Sequence, residues 1–259
     1  MVQARNRWIG LVFISMAISL VIIDGTIVNT IFPALIQDLS LTSTEVQWVQ
    51  ESYVLVFASL LLVWGSLADR IGRRLLLSIG IVIFILSSVW AGVTDSASAL
   101  ILARVIQGIG GAMVLPTTLS LVNANFQGKE RGIAFAVWGA TIGGMVAVGP
   151  VLGGWLATDF SWRWAFMINL PLGIIILAGL LLFVPESKAQ QRPGRIDLVG
   201  AAISVVMFST LVFGLIEGRV YGWWEVNPKN QFQLGDFVWP ETGISVIPVA
   251  LTISVIATI

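Results

Sequence analysis

Asp24 and Arg104 are opposite charges set inside long apolar runs, and proton transfer is the chemistry such a pair can do. Counting from Trp8 at 1.5 Å per residue places Asp24 roughly 24 Å along a helix, in the outer half of a membrane. The same count puts Arg104 about 8 Å below the outer boundary, at comparable depth on another helix. A carboxylate at that depth is expensive and by default functional. Facing an arginine it stays charged while paired, and parting the two changes its proton affinity. Plainer readings stay open: Asp24 snorkels or caps a neighbour near the outer interface, and Arg104 bonds backbone carbonyls beside Gln107. Thr26 and Asn29 are placed to supply hydrogen bonds along the first helix. Glu51, beside Trp48 and Tyr53, is either solvated or an attraction for cations at the outer mouth.

The chain has no Cys and no His, which excludes disulfides, cysteine nucleophiles, imidazole metal sites and an imidazole base. No metal or cofactor is expected. The run from Gly139 to Gly154 pairs Gly139 with Gly143 and Gly149 with Gly153, four apart, making flat strips for helix contact. Pro150 removes a backbone donor and softens the outer third of that helix, which suits a gate, although ordinary packing explains the glycines nearly as well. No Lys-Ser/Thr follows these glycines, so they form no nucleotide loop.

The stretch Gly65-Ser66-Leu67-Ala68-Asp69-Arg70-Ile71-Gly72-Arg73-Arg74 reads as a charged latch between two helices. Gly65 permits close approach, Asp69 accepts from an arginine, and Gly72 allows a tight turn that Arg73 and Arg74 anchor to headgroups. The alternative is a short loop that merely attracts arginine.

Long helices must position these groups. With 57% hydrophobic and 11% charged residues, the chain has too little charge to cover a soluble domain of 259 residues. Apolar segments run roughly 8–32, 49–67, 75–93, 99–121, 132–157, 165–184 and 198–215, with an eighth starting at 243. Most approach the roughly 20 residues that cross a bilayer, and none alternates like a barrel strand. The first is too long for a signal peptide and carries Asp24 and Asn29, so it is expected to be retained. Arg5, Arg7, Arg70, Arg73, Arg74, Lys129, Arg131, Lys188, Arg192 and Arg195 fall on one side. Opposite them lie Arg163, Arg219 and Lys229 with most acids, including Asp38, Asp95, Glu217 and Asp236. The N-terminus is therefore expected in the cytoplasm. An outside loop, about 217–242, holds Trp223, Trp224 and Trp239, and the stop at Ile259 inside an apolar run reads as a cut. Basic and acidic residues balance at 14 each, and no nucleic-acid partner is implied.

These stretches together resemble the major facilitator superfamily, in its drug:proton antiporter branch with fourteen helices. Gly65 to Arg74 resembles its signature loop. Arg104 to Ala112, with Gln107 and Gly108, resembles its fourth-helix motif, whose arginine is implicated in proton transfer. Gly139 to Gly154 resembles the antiporter motif of the fifth helix, and Asp24 to Pro33 the first-helix motif. Trp162 to Gly173 is similar to the start of helix six, and Asp197 and Gly200 to the start of extra helix seven. The resemblance implies an all-α membrane protein with an N-terminal six-helix bundle at 1–184. A linker, extra helix seven, outside loop and partial helix eight would fill 185–259. It implies an inner-membrane antiporter, not an enzyme, exporting small lipophilic or cationic compounds against protons once a second bundle completes the cavity. A non-transporting remnant or sensor and a proton-coupled nutrient symporter are the other readings.

Overall fold

In hydrocarbon every backbone polar group must find its partner within the protein, so continuous apolar runs close on themselves as helices. The structure, a computed structural model, describes residues 2–188, 197–234 and 237–258. Its helices are α1 (Val2–Leu39), α2 (Ser43–Ile71), α3 (Arg73–Val93), α4 (Ala97–Asn125), α5 (Gly128–Asp159), α6 (Arg163–Met167), α7 (Asn169–Phe183), α8 (Leu198–Tyr221) and α9 (Val246–Ile256). A two-residue pairing of β1 (Gln233–Leu234) with β2 (Phe237–Val238) lies between α8 and α9. Seven spans among the described residues are long and apolar enough to cross a membrane, α6 and α7 counting as one. The chain is an all-α, multi-pass membrane protein.

Helix lengths differ from the hydropathy reading. The first helix has 38 residues, about 57 Å at 1.5 Å each, where apolarity marks only 8–32. Hydropathy reports the depth of hydrocarbon, whereas helical hydrogen bonding continues into water. Segment six is interrupted at Ile168, and α8 continues to Tyr221, so Glu217 is a helical residue only 3% exposed and not part of an outside loop. The 11 residues of α9 extend only about 17 Å, short of a span. The expectations placed on Arg192, Arg195, Asp236 and the stop at Ile259 fall outside the described residues, as does the side chain of Arg5.

Local signals start the helices. Thr42 and Glu45 exchange side-chain and backbone hydrogen bonds in a capping box that opens α2. Ser96 caps α4 through the Ala99 N–H, and Asp197 caps α8 through the Gly200 N–H at 2.7 Å. Helix α3 packs on α4 and α7, α4 also packs on α2, and α1 lies between α5 and α7. Helix α8 rests on α2 and carries α9. Two apolar clusters follow α1: Leu11, Ile14, Ile18 and Val21 belong to one, and Ile27, Ile31 and Leu35 to the other. Asp24 falls between them.

The glycines of α5 divide into two groups. A Cβ on Gly149 would stand 3.0 Å from the Ile23 carbonyl oxygen, and one on Gly153 would stand 2.9 Å from that of Ile27. These two bring α5 against α1, as their spacing implies. Among the described residues a Cβ on Gly139, Gly143 or Gly154 would meet nothing within 4 Å, so the strip expected at Gly139 and Gly143 makes no helix contact there. Helix α5 runs unbroken through Pro150. Gly149→Ala and Gly153→Ala should each destabilise by about 1–3 kcal/mol, because helix backbones must part to admit the methyl. Gly139→Ala and Gly143→Ala should stabilise by about 0.5–1 kcal/mol, by restricting a flexible backbone in open space. Thermal unfolding in detergent measures both, and shifts of one sign at all four positions would contradict this division.

Candidate functional site

Asp24 and Arg104 meet. The Arg104 Nη1 lies 2.6 Å from Asp24 Oδ2, and neither side chain is exposed. Arg104 and Gln107, three apart on α4, share a face. Gln107 accepts from Arg104 Nη1 at 2.7 Å and donates from Nε2 to Asp24 Oδ1 at 2.8 Å. Asn169, the first residue of α7, donates to the same Oδ1 at 2.9 Å and to Ser88 Oγ of α3 at 2.9 Å. Ser88 donates in turn to the Phe166 carbonyl of α6.

Helix α2 holds the other side of the guanidinium. Arg104 Nε donates to the Val49 carbonyl at 3.1 Å and Nη2 to Gln50 Oε1 at 3.4 Å, while Gln50 Nε2 reaches the Gly25 carbonyl of α1. The guanidinium lies 4.1 Å from the centre of the Tyr53 ring, a cation–π contact. Gly108 makes this possible, since a Cβ there would stand 2.8 Å from the Tyr53 carbonyl oxygen and hold α4 away from α2. One ion pair thus ties α1, α2, α4 and α7 together, and through Ser88 it reaches α3 and α6. Burial of both charges is compensated by several charge-assisted hydrogen bonds, the condition under which such a pair persists.

Of the two first-helix polar residues, Thr26 supplies hydrogen bonds along its own helix as expected, and Asn29 does not among the described residues. Thr26 donates to its own helix at Ile22 and Ile23. Asn29 is exposed and, among the described residues, makes no side-chain hydrogen bond. At 100° per residue Thr26 and Asn29 lie 200° and 140° around the helix from Asp24, so neither shares its face. Asn169 lies within the stretch from Trp162 to Gly173, and its value depends on where the break at Ile168 places it.

The turn between α2 and α3 consists of Gly72 alone, with φ of +127°, a conformation that favours glycine. Gly65 packs near Pro116 of α4. Arg73 pairs with Asp69 at 2.7 Å, and Arg74 Nη1 donates to the Val184 carbonyl at 3.1 Å. Protein groups therefore engage both arginines at the turn. Arg70 also has an interaction within the protein. Glu186, which the sequence reading passed over, accepts from the N–H groups of Arg74 and Leu75, each at 2.9 Å. A carboxylate there satisfies orphan donors and complements the dipole of α3. At the opposite ends of the helices Arg163 pairs with Asp95 at 2.6 Å and Asp38 at 3.4 Å.

Residues 14–257 match the Major Facilitator Superfamily. The chain is 39% identical over 219 residues to the puromycin resistance protein pur8 of Streptomyces alboniger, covering 84% of this chain and 43% of that one. It is 32% identical over 220 residues to the tetracenomycin C resistance and export protein of Streptomyces glaucescens, covering 85% and 41%. It therefore spans about two-fifths of the length of these curated relatives. A crystal structure of a bacterial homolog of the human lysosomal transporter Spinster, inward-facing and unoccupied, shares the fold with a TM-score of 0.60 at 22% identity, over 83% of this chain and 55% of that one. The chain belongs to the Major Facilitator Superfamily, a family of membrane transporters, and is homologous to its antibiotic-resistance proteins.

Proposed function

We propose that the complete protein carrying this chain is a proton-coupled antiporter that exports small lipophilic or cationic compounds across the cytoplasmic membrane, with its N-terminus in the cytoplasm. The single observation that carries the coupling is the Asp24–Arg104 pair, fully buried and bonded to groups from α1, α2, α4 and α7. Its relatives' names, resistance to puromycin and resistance to and export of tetracenomycin C, support the direction and the cargo class.

The charges suggest the sequence of events. With the pair closed, Asp24 is a carboxylate holding guanidinium and amide donors. When the helices part toward the outside, Asp24 takes a proton from external water. Arg104 keeps its charge and remains bonded to Val49, Gln50 and Gln107. Return to the inward form brings the guanidinium back, the proton leaves to the cytoplasm, and the carboxylate is restored. The six-helix unit at 1–184 would rock against a second bundle, with 185–259 supplying the helices between them. The Asp69–Arg73 pair and the Glu186 clasp on α3 would open and close the cytoplasmic side, while α5, packed through Gly149 and Gly153, would move with α1.

Everted vesicles containing the complete protein test this reading. Cationic dye should be taken up into acid-inside vesicles, and an uncoupler should abolish more than about nine-tenths of the uptake. Uptake unchanged by the uncoupler would remove proton coupling. Dye leaving acid-inside vesicles with protons would point to symport.

A further inference from the structure

Two aromatic rings stand at the Arg104 guanidinium: the centre of Tyr53 of α2 at 4.1 Å and that of Phe166 of α6 at 5.9 Å. Both rings are buried, so little water competes with them for the cation. The Tyr53 ring is seated between glycines of two helices. A Cβ on Gly111 of α4 would stand 3.2 Å from its hydroxyl oxygen, and one on Gly25 of α1 would stand 3.9 Å from its Cε1. The hydroxyl itself, though buried, has no hydrogen-bond partner among the described residues. A tyrosine kept for its hydroxyl would have one, so the face of the ring is what this site uses.

Attraction between a cation and a ring face is an interaction of charge with quadrupole. While Asp24 is a carboxylate 2.6 Å from the guanidinium, its negative charge opposes the negative ring face and cancels part of that attraction. When Asp24 is protonated, the guanidinium meets the rings without a counter-ion and the attraction is felt in full. The rings therefore favour the protonated state, whereas the ion pair favours the ionised one. We propose that Tyr53, assisted by Phe166, is a positioning residue for the proton step, its ring taking over the charge of Arg104 whenever Asp24 is neutral.

Tyr53 neither gives nor takes a proton in this role, and the proton still passes between water and the Asp24 carboxyl. Other charged groups stand apart from the guanidinium. Among the described residues, Arg104 pairs with Asp24 alone, and Glu51 of α2 forms no ion pair. Glu45, Asp69 and Arg70 lie toward the ends of α2, and Arg7 and Asp38 toward the ends of α1. Those of α3 and α5 lie in terminal turns, α7 has none, and Arg163 of α6 is bound to Asp38 and Asp95. The inference deepens the antiporter reading and rests on Asp24 being its proton carrier.

Infrared titration of the complete protein in lipid nanodiscs tests it. The protonated-carboxyl band that Asp24→Asn removes reports Asp24. Its midpoint is read for the parent, for Tyr53→Phe, for Tyr53→Leu, and for phenylalanines of increasing ring fluorination at position 53. Fluorine depletes the ring face with little change of shape, so this series weakens the cation contact in proteins that fold alike. Tyr53→Phe should keep the parent's midpoint. Added fluorines should lower it stepwise, by about 0.5–1.5 pH units in all, and Tyr53→Leu should match the full fall. The pH profile of coupled uptake in proteoliposomes should move by the same amount. A midpoint indifferent to fluorination, or a fall in Tyr53→Phe as large as in Tyr53→Leu, overturns the proposal and leaves the antiporter reading standing. If Asp24→Asn removes no titrating band, the role of Asp24 fails and this inference fails with it.

Discussion

Replacing Asp24 by Asn in the complete protein should abolish cargo-driven proton movement across the membrane while the helices around it remain assembled. The amide matches the carboxylate in shape, and its oxygen can still accept from Gln107 and Asn169, which meet Asp24 at 2.8 and 2.9 Å. It has no proton to exchange near neutral pH. Arg104 loses its counter-ion but keeps the Val49 carbonyl, the Gln107 and Gln50 amides and the Tyr53 ring, so part of its charge remains solvated by protein. Stability should fall without global unfolding. Proteoliposomes with a trapped pH dye give the readout: added cargo should drive protons across the membrane with the parent protein and not with the variant. Undiminished coupled efflux from Asp24→Asn vesicles would remove Asp24 from the mechanism.

Arg104→Ala should do more damage to the fold. It strands a carboxylate that has no exposure, and breaking a buried pair from one side costs about 3–5 kcal/mol. It also empties the space beneath Tyr53 and frees the Val49 carbonyl. Lys is no substitute, since one ammonium cannot reproduce a fork that reaches α1, α2 and Gln107 together. The double variant Asp24→Asn/Arg104→Gln removes both charges and should recover a large part of the lost Tm without regaining coupling. A double-mutant cycle in detergent would show this as strong non-additivity. Costs that simply add would mean that the 2.6 Å contact contributes little.

The number of long apolar spans and the common depth of Asp24 and Arg104 are legible in the sequence because both follow from one-dimensional quantities; their contact is not. A 20-residue apolar run fixes a crossing, and 1.5 Å per residue converts sequence position into depth. Depth placed the two charges at one level, although it could not say which faces they occupied. The partners at Asp24 were harder to find for the same reason. Gln107 came through its spacing from Arg104, but Asn169 is 145 residues from Asp24 and reaches it through the interruption between α6 and α7, which hydropathy smooths over. Thr26 bonds along the first helix as its position implies, but helical angle puts neither Thr26 nor Asn29 on the face of Asp24. Glu186 lay hidden because a loop carboxylate offers no pattern until the N-terminus of α3 is placed beside it. Glu217 was assigned to the wrong side of a helix end, a boundary that apolarity alone defines poorly.

The enclosure of Asp24 bears on how fast such a carrier can run. Both of its oxygens are occupied and no part of it is exposed, so hydronium ions cannot reach it by diffusion through the closed form. Acidifying the medium would raise the fraction of carriers that load once open, but turnover would level off at a ceiling set by how often the helices separate. That ceiling should rise steeply with warming and with membrane fluidity, so temperature and lipid composition, ahead of proton supply, would govern the maximal rate.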